Sequence, residues 1–479
     1  MQITSPVFLF LFLPLTLLLF HCAPVKLRSW ALLAFSAGFY IWGELGYGAV
    51  ICASIFLNYL AALFLERFSG RTRQMIFWGA VAINLLLLSW FKYSSFMLTT
   101  LTSTMGLEIP FFNGGMLPGH LPLGISFFTF LAISYLTDVH NEICPASRNL
   151  KETALYFLFF PRVTSGPLIR FQSFCDSLVP AAFFSEEFAA GVRRFIIGLA
   201  RKVLLATPLM KAANCIFDAP AGTVDMPTAW LGAILYSLMI YHDFAGYSDM
   251  AIGLSRMLGY QLPENFEYPY TALSFTDFWR RWHITLSGWL RDYLFIPLSR
   301  ALVTERFRER LACGEATMLS RNCLSICCVF TICGLWHGAG WNFIVWGLAH
   351  GLFLSFEQTA AGKRLAMAPV VVRRFYLLAS ITLTWTLFRL ESLRTAGSYI
   401  KTMVLPTFSP AAPNVWTGEL VVVVASALLF SFPFSRDLAN LMPVKARDIL
   451  HAPIYLLLLV ITISAVASGS FNPFIYARF

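Results

Sequence analysis

The feature that most restricts this chain is the recurrence, from one end to the other, of predominantly apolar runs that are candidates to cross a lipid bilayer. About 20 apolar residues in a helix span the ~30 Å hydrocarbon layer. Such runs lie near residues 7–22, 30–44, 47–65, 75–92, 153–169, 188–210, 228–246, 323–336, 341–357, 372–389, 418–434 and 452–469. A weaker stretch over 94–137 is interrupted by Gly114, Gly115, Pro118, Gly119, Pro122 and Gly124. Backbone that irregular survives at membrane depth only where protein or a water-filled cavity surrounds it. Charged residues make up 13% of the chain, against ~25% in a soluble domain. The expectation is an all-α polytopic membrane protein, with residues 1–479 forming a single membrane domain.

The net charge of +10 raises the question of a nucleic-acid partner. The basic residues, however, sit in short clusters between apolar runs: Arg67, Arg71 and Arg73; Arg193, Arg194, Arg201 and Lys202; Arg306, Arg308 and Arg310. That is the pattern of cytoplasmic loops, and attraction to anionic headgroups of the bilayer accounts for the excess. No recognition motif accompanies the charge, so no nucleic-acid partner is expected. Ten cysteines are scattered without metal-type spacing, the densest group being Cys323, Cys327, Cys328 and Cys333 in an apolar run. They read as small buried hydrophobes, and neither a disulfide nor a metal site is expected. The first run, Val7 to Cys22, lacks a preceding basic region and a cleavage site. Lys26 and Arg28 follow it, which predicts a retained helix with its N-terminus outside.

Residues 249–310 differ in kind, being richer in charge and aromatic rings. Pro263, Pro269 and Pro297 argue against one continuous helix. Trp279, Trp282 and Trp289 beside Arg280, Arg281 and Arg291 suit short amphipathic helices at the headgroup level.

Chemistry is concentrated in three places. His337, in Gly334-Leu335-Trp336-His337-Gly338-Ala339-Gly340-Trp341-Asn342, lies between two apolar runs. An intramembrane imidazole is costly unless partnered, and it titrates where an alcohol's proton can be taken. The flanking glycines permit a helix break and close approach of a ligand. The alternative is a histidine that merely hydrogen-bonds to a neighbouring helix. His283, in Asp277-Phe278-Trp279-Arg280-Arg281-Trp282-His283, is either functional or incidental to an interfacial anchor. His350 follows His337, and on an unbroken helix at ~100° per residue the two would point about 140° apart, so they would not form a dyad; His350 reads as hydrogen-bonded within the bundle. Asp243, in Tyr241-His242-Asp243, would orient a histidine or arginine, or cap a helix. A GxSxG elbow, a Walker A loop and a strand-linked GxGxxG are all missing, which disfavours serine-hydrolase, ATPase and dinucleotide chemistry.

Several segments together resemble the membrane-bound O-acyltransferase family, in its alginate O-acetylation branch: 121–139 (LPLGISFFTFLAISYLTDV), 243–270, 277–298 (DFWRRWHITLSGWLRDYLFIPL) and 334–351 (GLWHGAGWNFIVWGLAHG), with 5–15 at the N-terminus. The resemblance implies a ring of tilted transmembrane helices, with re-entrant and interfacial helices, around a central tunnel. It implies that His337 matches the catalytic histidine and His283 the second characteristic position across the tunnel. Asp243, Trp336, Asn342 and His350 become candidates for supporting or tunnel-lining residues. The C-terminal 471–479 tail, with Phe474, Tyr476 and Phe479, resembles an FxYxxF motif of envelope-acylating systems, in which Tyr476 would relay the acyl group; the alternative is an aromatic tail anchored at the interface. Arg162, Ser165 and His242 depart from the family pattern, which bears on acceptor choice or partner contact.

The function so implied is transfer of an acetyl group from a cytoplasmic thioester, such as acetyl-CoA, for O-acetylation of an extracellular or periplasmic polysaccharide, in a bacterial inner membrane. A periplasmic acetyltransferase partner would complete delivery, and no bound cofactor is needed. Two other readings stay open: a D-alanyl or other acyl transferase, and an exporter of polysaccharide or lipid with no acyl-transfer chemistry.

Overall fold

The computed structural model describes residues 2–105, 118–178, 185–220, 222–301, 315–434 and 444–469. The described residues are helices joined by short connections; the β-structure among them is two isolated bridges, Leu178 with Tyr260 and Phe266 with Trp282. Two compact units are built from them, each described in turn: Met1–Phe195 with Met250–Pro263, and Ile196–Asp249 with Glu264–Phe479.

The first unit contains α1 (Leu13–Cys22), α2 (Val25–Gly43), α3 (Gly48–Arg67), α4 (Gly70–Met105), α5 (Ile125–His140), α6 (Leu150–Leu158), α7 (Phe171–Asp176) and most of α8 (Glu186–Ala200). Asn58 of α3 and Asn84 of α4 exchange amide hydrogen bonds of 3.1 and 2.8 Å in a fully buried position. Each polar group thus finds a partner away from water, the usual way such residues fasten helices in a membrane. Between α4 and α5 the chain is irregular from Pro118 onward, as its prolines and glycines require. Gly124 there adopts φ 71°, and a Cβ would stand 2.2 Å from the carbonyl oxygen of Val163. Only glycine fits that approach.

The second unit continues through a π-helical stretch, Arg201–Ala206, into α9 (Thr207–Phe217) and α10 (Met226–Met257), whose last residues count with the first unit. It then holds α11 (Phe275–Arg281), α12 (Ile284–Leu290), α13 (Ile296–Ala301), α14 (Glu315–His337), α15 (Trp341–Gln358), α16 (Ala360–Ala366), α17 (Val370–Arg389), α18 (Leu393–Val404), α19 (Gly418–Ser431) and α20 (Val444–Ala467). Among the described residues, three helical segments are by themselves long and apolar enough to cross a membrane: Leu45–Arg67, Gly70–Met105 and Val370–Arg389. Phe8–Cys22, Ile125–His140, Gly418–Ser431 and Ala452–Ala467 are apolar but shorter.

Several boundaries differ from the sequence reading. The run at 153–169 is helical only to Leu158, because Pro161 and the Gly166-Pro167 pair turn the chain. Helix α4 continues past residue 92, and α10 runs on to Met257 through residues assigned to the polar region. Pro297 does not stop its helix: the wider π turn at Arg291–Phe295 leads directly into α13. Arg201 and Lys202, read as part of a loop cluster, lie inside a helix, with Lys202 buried.

Candidate active site

His337 closes α14, and Gly338-Ala339-Gly340 reverses the chain into α15. The two helices can pack backbone to backbone because three contact positions are glycine. A Cβ on Gly334 would lie 2.1 Å from the carbonyl oxygen of Phe343, and one on Gly347 2.1 Å from that of Phe330. A Cβ on Gly351 would lie 2.8 Å from the Cα of Cys327. These glycines therefore admit the neighbouring helix.

This hairpin sets His337 edge-on to Trp346 of α15, with ring centroids 5.0 Å apart and planes at 84°. Trp336 and Phe388 of α17 complete the contacts at 4.7 and 5.4 Å. His350, one turn beyond Trp346, packs on the same indole at 4.6 Å. An unbroken helix would point the two histidines apart; the break between α14 and α15 instead brings both imidazoles onto one indole. His350 Nδ1 accepts from the Trp279 indole at 3.2 Å, so its role is inside the packed cluster. Asn342 donates to the Leu390 carbonyl at 2.8 Å and so ties the start of α15 to the end of α17.

His283 occupies the joint between α11 and α12. Ser274 caps α11, and the Glu357 carboxylate from the end of α15 accepts from the backbone of Phe275 and Thr276, matching a negative charge to a helix N-terminus. At the joint, His283 itself takes the left-handed conformation, φ 44° and ψ 53°. Asn265 holds its Nδ1 at 3.1 Å, and the Phe244 ring stands edge-on to it at 4.7 Å. Trp279 and Trp282, expected at the headgroups, are instead buried among other rings, because the short helices turn their indoles inward. Trp282 contacts Trp385 at 5.0 Å, Trp385 stacks near Trp346 at 5.8 Å, and Trp346 meets His337. A continuous series of indoles thus joins the segment of His283 to His337. His283 is 1% exposed and His337 4%.

Asp243 forms an ion pair with Lys202, and both are buried. Beside this pair, Arg201 bonds Asp249 at 2.9 Å and approaches His242 Nδ1 at 3.4 Å. His242 Nε2 donates to the Ala427 carbonyl of α19 at 2.9 Å. His242, one of the departures from the family pattern, therefore fastens α10 to α19. Arg162, another, is buried in the first unit with its guanidinium 4.6 Å from the Tyr156 ring and 5.0 Å from that of Phe174. Tyr476 and the 471–479 tail lie outside the described residues. Among the described residues, no group of three or more His, Cys, Asp or Glu is placed to hold a metal ion.

Trp346, Trp385, Asn265 and Glu357 were not singled out from sequence. Their signals are weak: an aromatic in an apolar run looks like core, and Asn265 in Leu262-Pro263-Glu264-Asn265-Phe266 looks like a turn residue.

An all-helical, membrane-embedded protein with histidines buried among aromatic rings is the class these features define. The comparisons make it specific. Residues 145–389 match the model of the membrane-bound O-acyltransferase family. The chain is 33% identical, over the whole of both chains, to the "Probable alginate O-acetylase AlgI" of Pseudomonas putida. It is 38% identical to the protein of that name from Azotobacter vinelandii, covering 83% of this chain and 76% of that one. It is 32% identical to the "Peptidoglycan O-acetyltransferase" of Helicobacter pylori, covering 84% and 79%. The chain belongs to the membrane-bound O-acyltransferase family and is an O-acyltransferase.

Proposed function

We propose that this enzyme transfers acetyl groups from a cytoplasmic thioester for O-acetylation of a polysaccharide outside the bacterial inner membrane. The observation that carries the reading is the placement of His337 at a glycine-bounded helix break, buried in an aromatic cluster that reaches the segment of His283. The relatives' names, alginate O-acetylase and peptidoglycan O-acetyltransferase, support an acetyl group and a polysaccharide acceptor.

In the proposed step, His337 takes the proton of the accepting hydroxyl as its oxygen attacks the thioester carbonyl. The tetrahedral intermediate collapses, the C–S bond breaks, and the leaving thiolate takes up a proton, giving an ester and a free thiol. His283 assists by orienting a substrate group. The hydroxyl belongs either to Tyr476, which would then carry the acetyl group as an ester, or to the outer acceptor. A ring of tilted helices around a tunnel would let the donor enter from the cytoplasm while the product leaves outside. A periplasmic acetyltransferase partner would pass the group to sugar hydroxyls. The whole chain acts as one membrane catalytic domain in this account, and the thioester is a substrate, not a bound cofactor.

Purified enzyme given an acetyl thioester labelled in its acetyl group tests this directly. Label in an ester, on the protein or on an added acceptor, supports the reading. Transport of a polymer without any label transferred would overturn it in favour of export. Preference for a D-alanyl donor would move the enzyme to the chemistry of a further relative, the "Teichoic acid D-alanyltransferase" of Bacillus subtilis, 29% identical over 49% of this chain and 58% of that one.

A further inference from the structure

We infer that Asn265 sets the tautomer of His283, so that His283 presents Nε2 as a bare proton acceptor and binds a substrate group that carries a proton. The inference rests on His283 belonging to the acyl-transfer site, and it assigns the kind of group His283 recognises.

The backbone geometry comes first. Asn265 is fully buried. Its carbonyl accepts from the Ile284 N–H at 3.0 Å, and the Glu267 N–H donates to the Arg281 carbonyl at 3.0 Å. Residues 265–267 therefore run antiparallel beside 281–284, with Phe266 bridged to Trp282. This short pairing brackets His283 and holds it in the left-handed conformation that a β-substituted residue adopts reluctantly.

The side chain then fixes the proton. Asn265 Oδ1 lies 3.3 Å from the Thr285 N–H, 2.9 Å from the Thr285 hydroxyl and 3.1 Å from His283 Nδ1. Asn265 Nδ2 donates to the Ser248 hydroxyl at 3.1 Å. A backbone N–H can only donate, so the amide atom facing Thr285 is the oxygen, and the amide cannot be turned over. A carbonyl oxygen has no proton to give, so Nδ1 of His283 carries the proton. In the neutral imidazole, Nε2 then holds a lone pair. That nitrogen is buried and meets no hydrogen-bond partner among the described residues.

An acceptor of this kind cannot donate to a thioester carbonyl while the ring is neutral. It recognises a hydrogen-bond donor other than the proton His337 removes, that is, a second hydroxyl or an N–H of a substrate. His283 and His337 thus divide the work: His283 accepts a hydrogen bond that orients the substrate, and His337 removes the proton of the attacking hydroxyl as the C–O bond forms. Asn265 is a positioning residue, acting only through His283.

The test uses full-length enzyme labelled with ¹⁵N-histidine, the His283 signals being assigned by their loss in His283→Gln. In the unsubstituted protein the account requires protonated Nδ1 and unprotonated Nε2. Asn265→Asp keeps an acceptor facing Nδ1 and so should keep the tautomer; its negative charge favours imidazolium, moving the acidic limb of the pH–rate profile upward by about one unit. Asn265→Leu should mix the tautomers and lower kcat/KM at least about tenfold, a mis-set tautomer costing up to ~10⁴-fold in a serine protease. A proton found on Nε2 in the unsubstituted protein, or an unmoved profile in Asn265→Asp, would overturn the inference. So would an unchanged tautomer in Asn265→Leu. Should Asn265→Leu fail to fold, the other two measurements decide. An enzyme that transfers no acyl group would refute the proposed function, while the nitrogen signals would still decide the tautomer.

Discussion

His337 and Trp346 meet edge to face, 5.0 Å between ring centroids, although a helix break lies between them in the chain. The indole is also the common neighbour of His350 and Trp385, so it fixes the position of His337 relative to the rest of the cluster.

Removing that indole should therefore disturb activity and stability together. Trp346→Ala leaves a large void beside His337, at a cost of about 3–5 kcal/mol, and acyl transfer should fall by an order of magnitude or more. Trp346→Phe keeps a ring and should lose less of both. Thermal unfolding in detergent and an ester-formation assay measure the two effects. Equal activity in all three proteins would remove Trp346 from the account.

The α14–α15 hairpin should tolerate no added carbon at its closest approach. Gly334→Ala and Gly347→Ala each place a methyl group 2.1 Å from a carbonyl oxygen, and the helices must separate, costing about 1–3 kcal/mol. Gly288→Ala, where nothing lies within 4 Å, should be neutral or gain up to about 1 kcal/mol from helix propensity. Comparing melting temperatures of the three variants checks the contrast.

Breaking the Lys202–Asp243 pair should cost more than deleting it. Lys202→Met leaves a buried carboxylate without its cation, a loss of about 3–5 kcal/mol. Adding Asp243→Leu should recover much of that stability, since both desolvated charges are then gone. A double-mutant cycle read by unfolding shows the coupling; additive losses would contradict it.

Asp225 precedes α10, and a bond from the Thr228 hydroxyl, with backbone N–H bonds from Thr228 and Ser409, holds its carboxyl below the usual range. A depressed carboxylate stabilises the fold at neutral pH, and that contribution is lost as the pH falls from the unfolded value through the lowered folded one. Asp225→Asn should flatten the acid side of the stability–pH curve, which unfolding across that range measures.

How much of this was readable beforehand depended on the physics at each position. Apolar length announces helices, and glycines around a histidine between two apolar runs announce a break, so α14, α15 and the place of His337 at their joint were legible. Lys202 was not, because a basic residue near other basic residues looks like a loop; only the fold shows Asp243 across from it, on α10. Trp279 and Trp282 misled for a related reason, since indoles flanked by arginine suit a headgroup layer equally well until a neighbouring helix covers them. Asn265 was illegible because its role depends on residues brought to it by a non-local backbone pairing.

The most direct measurement is the ester content of the polysaccharide made by cells carrying His337→Ala in place of the unsubstituted enzyme, with equal amounts of protein in the membrane. The account predicts acetyl ester reduced to the level of cells lacking the enzyme. Ester content equal to that of the unsubstituted enzyme would contradict it.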